Sequence, residues 1–370
     1  MRVLYVSRGS TVHDRRFLRA ITAAGLDVGW FRLSGPPAGQ PLPPGVRDLT
    51  PSPAGTGDRR LGAIGVRRNL AMAIRAYRPT LVHAGPIQQG AFPAALAGAR
   101  PLVSMSWGSD LLRDAAGGLG RWQAKYVLTH SDLVLCDCQA ARRRAIELGA
   151  SESKLVVFPW GVDLKHFRPG SRPAIRAQLG WGDSFIVLSA RTLEPIYGVD
   201  VVVEGFLRAA DEEPKLRLLV LSDGSQRGPL ERRIAKAGMK SRVHFAGVID
   251  ETKLPDYYRA ADLYVSASHS DGSSVTLLEA MACGLPVLAS EILGNREWVA
   301  ASVNGWLFPD GDAQALASGL RGACAAADRL REMGKVGRAT VEARADWSSN
   351  SRMLVDAYQL VTSQAKRNAP

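Results

Sequence analysis

Short apolar runs alternate with longer segments of helical periodicity along most of the chain, the pattern of parallel sheets covered on both faces. In the first half this predicts strands at Arg2–Ser7, Asp27–Leu33, Thr80–Ala84, Leu102–Ser106, Leu133–Asp137 and Lys154–Phe158. Between them, Val66, Leu70, Ala73 and Tyr77 recur at helical spacing and predict an amphipathic helix stopped by Pro79. Its other side carries Arg67, Arg68, Arg75 and Arg78. Residues 34–58, rich in Pro and Gly, read as a long irregular loop.

A second period starts near Phe185, after the polar stretch RPGSRPAIRAQLGWGDS, which reads as a linker. FIVLSA, LRLLVLSDG, VHFAGV, LYVSAS and PVLAS then predict strands, with helices over 199–210, 229–238, 253–261 and 274–283. An amphipathic tail from about Trp347 to Gln364 predicts a last helix. The fold class is therefore α/β, with two Rossmann-like domains expected to face each other across a cleft at the carboxyl ends of their sheets.

At 370 residues and 46% hydrophobic, the chain has material for two cores, which excludes disorder. No apolar run approaches the ~18 residues that mark a bilayer span, and the N-terminus enters the strand-like VLYVS without a visible signal peptide. A cytoplasmic protein is the expectation. Cys136, Cys138, Cys283 and Cys324 are too few for a disulfide scaffold, and Cys-x-Cys without a downstream pair predicts no metal site. After the first strand stands SRGSTVHDRRF, which lacks the Gly-x-Gly-x-x-Gly spacing of a nicotinamide dinucleotide site. The net charge of +12 is uneven: residues 1–150 hold 20 Arg or Lys against 9 Asp or Glu, a balance of +11. Nucleic acid is not expected as a partner, because no aromatic-rich basic strand, zinc finger or helix-turn-helix spacing accompanies the charge. An anionic membrane surface, a phosphorylated acceptor and a plain solvated surface in a chain with 38 Arg and 9 Lys all stay open.

The chemistry concentrates in SHSDGSSVTLLEAMACGLPVLAS, residues 268–290. A strand runs into an Asp-Gly-Ser-Ser turn and then a helix closed by Gly284 and Pro286. Free amides at that helix start, beside Gly272, make an anion cradle suited to phosphate. Asp271 and Glu279 lie about two turns apart, on the order of 12 Å, beyond the ~5–9.5 Å of paired glycosidase carboxylates, so they should grip a ligand at two ends.

Asp271-x7-Glu279 followed by Ala-Met-Ala-Cys-Gly-Leu-Pro-Val resembles the Glu-x7-Glu and EAMACGxPV signature of the retaining family-four glycosyltransferases. The resemblance continues in VVFPWGVDLKHFRPG (156–170), SARTLEPIYGVDVVVEGF (189–206), LVLSDGS, VHFAGVI, YYRAADLYVSAS and NGWLFPDGD. It implies a GT-B fold with an N-terminal acceptor domain over 1–167, a C-terminal nucleotide-sugar domain over 168–346, and a helix over 347–370 that crosses back to the N-terminal domain. It further implies a nucleotide-diphospho-sugar as co-substrate, no other cofactor and no catalytic metal. Asp271, Arg191 and Glu279 would be the catalytic set, with Arg191 on the leaving diphosphate, Glu279 on the ribose and Asp271 on the sugar. Tyr197, Gly247, Val248, Gly272, Ser273, Ser274, Val275 and Thr276 would complete the donor site. Ser10, His13, His83, Trp107 and Asp110 are the candidates on the acceptor side.

Three departures qualify the match. Tyr197 replaces a family lysine, so Arg296 or an N-terminal arginine is a candidate second cation. Asp271 is one methylene shorter than the usual glutamate, and Ser-Trp-Gly-Ser-Asp (106–110) stands where relatives carry His-Gly. The readings that follow are a metal-independent retaining glycosyltransferase, a nucleotide-sugar epimerase of similar fold, and a nucleotide-sugar-binding protein with impaired catalysis. A peripheral position at the inner face of a membrane is the alternative to a free cytoplasmic location.

Overall fold

Thirteen strands form two separate all-parallel sheets in the computed structural model, which describes residues 1–33, 41–51, 63–171 and 174–367. By its internal contacts the chain divides into Met1–Pro159 with Ser349–Pro370, and Trp160–Ser348.

The N-terminal unit holds β1 (Arg2–Ser7), β2 (Asp27–Arg32), β3 (Val46–Asp48), β4 (Leu81–Ala84), β5 (Leu102–Met105), β6 (Leu133–Cys136) and β7 (Leu155–Val157) in the order β3-β2-β1-β4-β5-β6-β7. Both faces of the central strands are covered, so Val3, Leu4, Tyr5 and Val6 are all fully buried. This is why β1 reads as an unbroken apolar run. Helix α1 (Val12–Ala23) starts with a reciprocal capping box between Thr11 and Asp14. Helix α2 (Ala63–Tyr77) buries Leu70 and Tyr77, while Arg67, Arg68 and Arg75, and Arg78 just beyond its end, are exposed.

The expected loop over 34–58 needs correction where it is described, because β3 lies inside it. Val46-Arg47-Asp48 has no pattern of its own; pairing with Val28, Gly29 and Trp30 makes it an edge strand, and Asp48 pairs with Arg32. Residues 34–40 and 52–58 of that expected loop lie outside the described residues.

His83 also differs from its expected place on the acceptor side. It sits on β4 without exposure, edge-on to Tyr5 and Phe17, with Nδ1 2.5 Å from the hydroxyl of Tyr358 on the Trp347–Arg367 helix. A histidine between aromatic rings in an apolar core is a packing residue with a single hydrogen-bond role.

The C-terminal unit carries β8 (Phe185–Ser189), β9 (Leu216–Leu221), β10 (Val243–Gly247), β11 (Leu263–Ser266), β12 (Val287–Ser290) and β13 (Gly305–Phe308) in the order β10-β9-β8-β11-β12-β13. The last strand lay hidden in NGWLFPDGD. The part of the expected linker from Arg176 to Trp181 is folded into this unit: Trp181 is buried in its core, and Arg176 donates to the Ala260 carbonyl at 2.9 Å and pairs with Asp262 at 3.0 Å. Among the described residues, no helix is long and apolar enough to cross a membrane.

Candidate functional site

Strands β8 and β11 are hydrogen-bonded neighbours, with Val187 opposite Leu263 and Leu188 opposite Tyr264. Their carboxyl ends therefore release two loops side by side, one carrying Arg191 and the other Asp271 to Ser274. Gly198 and Gly294 let further backbone close in. Gly198 is left-handed at φ 58°, and a Cβ there would meet the Ala267 carbonyl at 2.1 Å. One on Gly294 would meet the Gly272 carbonyl oxygen at 2.2 Å.

Arg191 is the centre of this cluster. Its Nη1 donates to Ser274 Oγ at 2.7 Å and to Thr276 Oγ1 at 3.1 Å, while Nη2 lies 2.7 Å from Asp271 Oδ2. The Asp271 contact is a charge pair, its geometry falling short of an aligned hydrogen bond. The guanidinium also stacks 4.1 Å from the centroid of the Tyr197 ring. Burial alone would lower the Arg191 pKa, but the Asp271 carboxylate together with Tyr264, Tyr197 and Tyr258 more than offsets it and raises the pKa. The side chain thus stays charged although only 8% exposed. Its Nε, and Ser189 Oγ two residues upstream, are buried polar atoms with no hydrogen-bond partner among the described residues.

Ser274 is the N-cap of the Val275–Ala282 helix, yet its side chain accepts no helix amide. That oxygen serves Arg191 instead, so the first-turn amides of the helix are left without the usual serine cap. Gly272 and Ser273 line the turn before it, with Ser273 Oγ accepting from Trp298 Nε1 at 3.3 Å. Thr276 Oγ1 is also 2.8 Å from the Tyr264 hydroxyl. Glu279 projects from the next turns of this helix, and the Tyr258 hydroxyl donates to its Oε2 at 2.8 Å. Burial, with Glu279 beside it, holds the Tyr258 pKa well above the ordinary phenol value, so this hydroxyl remains a donor.

The structure thus gathers Arg191, Tyr197, Asp271, Ser274 and Thr276 at one point, with Glu279 further along the helix. Gly247 and Val248 sit at the end of β10, across β9 from β8. Arg296 pairs with Glu291 at 3.2 Å. Tyr258, Tyr264 and Gly294 join the site without a sequence signal of their own; the first two lie within the motif YYRAADLYVSAS.

In the N-terminal unit, a cavity of about 490 Å³ opens beside the β1–α1 loop. Ser10, Trp107 and Asp110 line it, together with Arg8, Asp14, Gln88, Gln89, Asp114 and neighbouring residues. His13 stands edge-on to Trp107 at 5.9 Å between ring centroids. Asp110 is buried and accepts from Ile87 N, Ser106 Oγ, Trp107 N and Leu111 N at 2.6–3.1 Å. Burial raises its pKa against the pull of these bonds. They hold the Trp107 loop in place.

Two family models match the chain: Glycosyltransferase Family 4 over residues 7–166 and Glycosyl transferases group 1 over residues 171–340. The chain belongs to the family-four glycosyltransferases. Among curated relatives, a D-inositol 3-phosphate glycosyltransferase of Segniliparus rotundus is 30% identical over 244 residues, which cover 63% of this chain and 53% of that protein. A protein of the same name from Thermobispora bispora is 30% identical over 255 residues, covering 66% and 59%. The chain therefore spans little more than half the length of these relatives. Among solved structures, sucrose-phosphate synthase from Thermosynechococcus elongatus superposes with a TM-score of 0.82 at 23% identity, over 98% of this chain and 99% of the other. HepE of Anabaena in complex with UDP gives 0.77 at 20% identity, over 97% and 100%. These likenesses identify the fold as GT-B.

Proposed function

We propose that the protein transfers a sugar, with retention, from a nucleotide-diphospho-sugar to an acceptor hydroxyl without a metal. The observation that carries this reading is the buried, charged Arg191 beside helix amides that Ser274 leaves uncapped. Two fixed sources of positive potential converge where a leaving diphosphate would develop charge. In a front-face transfer the bond from the anomeric carbon to the acceptor oxygen forms as the bond to phosphate breaks, and the acceptor proton passes to the departing phosphate oxygen. The protein then needs no nucleophile; it orients substrates and neutralises charge.

Asp271 would face the sugar, relaxing its grip on Arg191 as the diphosphate arrives. Glu279, steadied by Tyr258, would accept from the ribose hydroxyls. HepE complexes with UDP and with UDP-glucose support a uridine nucleotide as the first donor to test. Glu279→Gln should weaken UDP binding by roughly 1–3 kcal/mol, the scale of a lost charged hydrogen bond, with the unfolding midpoint unchanged. Calorimetric titration of both proteins with UDP checks this, and equal affinities would remove Glu279 from the ribose role.

A surface contact with anionic membrane is supported by one specific observation. The exposed side of α2 combines Arg67, Arg68 and Arg75 with Ile64, 85% exposed, and Met72, 49% exposed. Basic groups near an anionic surface contribute about 1 kcal/mol each, and apolar side chains among them favour the interface. Replacing Arg67, Arg68, Arg75 and Arg78 together by Gln should greatly reduce co-sedimentation with phosphatidylserine vesicles at low salt while UDP binding stays the same. No vesicle binding by the unaltered protein at low salt would leave a solvated basic surface as the explanation.

A further inference from the structure

We propose that the cavity of the N-terminal unit receives an uncharged polyhydroxylated ring, a sugar or cyclitol without phosphate, as the group that accepts the glycosyl residue. The inference rests on the glycosyl-transfer reading and specifies the chemistry of its acceptor. A volume of about 490 Å³ lies within the range of small-molecule sites.

The lining is built against an anion. Among the described residues Arg8 is its one Arg or Lys, set against Asp14, Asp110 and Asp114, and its Nη1 reaches Gln89 Oε1 at 3.4 Å. The positive groups that normally hold phosphate are already used within the fold. The amino end of α1 points its Thr11 segment at the cavity, but Asp14 caps it: Asp14 Oδ2 accepts from Thr11 N at 2.8 Å and from Thr11 Oγ1 at 2.7 Å. A carboxylate thus already sits at that helix start, where an arriving phosphate would meet like charge. The amides of Ile87, Trp107 and Leu111 are likewise directed to the Asp110 carboxylate. Asp114 pairs with Arg113 at 2.8 Å, so that cation is engaged as well.

What faces a ligand is mostly neutral and polar. Ser10 Oγ is buried without a hydrogen-bond partner among the described residues, and Gln88, Gln89 and Ser109 add amide and hydroxyl groups. Amides and hydroxyls both donate and accept, as ring hydroxyls require. The Trp107 ring offers an apolar face of the kind that packs on the C–H face of a sugar. Among the described residues, Arg8 alone of the cations in the first 150 positions lines this cavity; Arg67, Arg68, Arg75 and Arg78 display part of the +11 on the outer surface.

The test uses the full chain with UDP present and saturation-transfer NMR on matched probes: glucose, mannose, N-acetylglucosamine and myo-inositol, each beside its monophosphate. At least one neutral ring should bind at least tenfold more tightly than its monophosphate, and Trp107→Ala should abolish that signal while UDP binding persists. D114R, which turns a lining carboxylate into a cation, should narrow the neutral-over-phosphate ratio at least threefold. Tighter binding of the monophosphates, lost on Arg8→Gln, would overturn the inference. So would the absence of any neutral-ring signal from a protein that still binds UDP, leaving the transfer reading in place. Failure to bind any of a panel of nucleoside diphosphates would defeat that underlying reading instead.

Discussion

Arg191→Ala should lower turnover at least about a hundredfold, the usual loss when one preorganised group that stabilises transition-state charge is removed. The expectation follows from where its charge lies. Arg191 is held by Ser274, Thr276, Asp271 and the Tyr197 ring, so little reorganisation is needed when a diphosphate takes the place of the carboxylate. Arg191→Lys should rescue only weakly, because an ammonium cannot match the two-nitrogen fork that joins Asp271 to the two hydroxyls. Release of nucleoside diphosphate from UDP-sugars, with unfolding midpoints as the control for folding, measures the effect. Turnover within threefold of the unaltered protein would remove Arg191 from the reaction.

The second large effect concerns stability in acid. Burial pushes the His83 pKa down from about 6.5 to about 3, so the folded protein keeps the ring neutral while the unfolded chain protonates it. Between those values the unfolded state binds more protons, and stability is lost as pH falls through the window. The slope is about 1.4 kcal/mol per pH unit, approaching roughly 5 kcal/mol across the whole interval. His83→Asn, which keeps a polar group near Tyr358 but does not titrate, should be less stable at pH 7 yet lose less between pH 6.5 and pH 4.5. Urea midpoints of both proteins at the two pH values decide it. Equal losses would mean that His83 becomes protonated inside the fold.

The parts of the fold that were legible from sequence were those where burial acts along the chain. The Val3–Val6 run of β1 and all of β6 are covered on both faces and so are apolar throughout, and the helix Val199–Ala210 declares itself by its periodicity. The β3 edge strand carries no such signal, because its place comes from pairing with β2. The stretch around Trp181 looked like a linker since its one aromatic anchor and the Arg176–Asp262 pair reach partners far along the chain.

The candidate site divides in the same way. Asp271, Ser274, Thr276 and Glu279 sit on one continuous segment whose spacing is a local property. The stacking of Arg191 on Tyr197 and the pairing of Arg191 with Asp271 depend on β8 and β11 being neighbours, which no spacing reveals. Tyr197 carries no charge, and in the structure it supports the arginine through its ring. The burial of His83 was equally hidden, since Leu-Val-His-Ala places a histidine in a strand without saying which residues cover it.

In the proposed reaction, protein groups supply all the charge stabilisation for glycosyl transfer. The most direct measurement follows UDP release and the anomeric configuration of the product by NMR, with UDP-glucose and other UDP-sugars, in excess chelator and again with added magnesium. Nearly equal rates in both conditions and a product that retains the donor configuration are expected. Activity lost in chelator and restored by magnesium, or an inverted product, would contradict the proposed reaction.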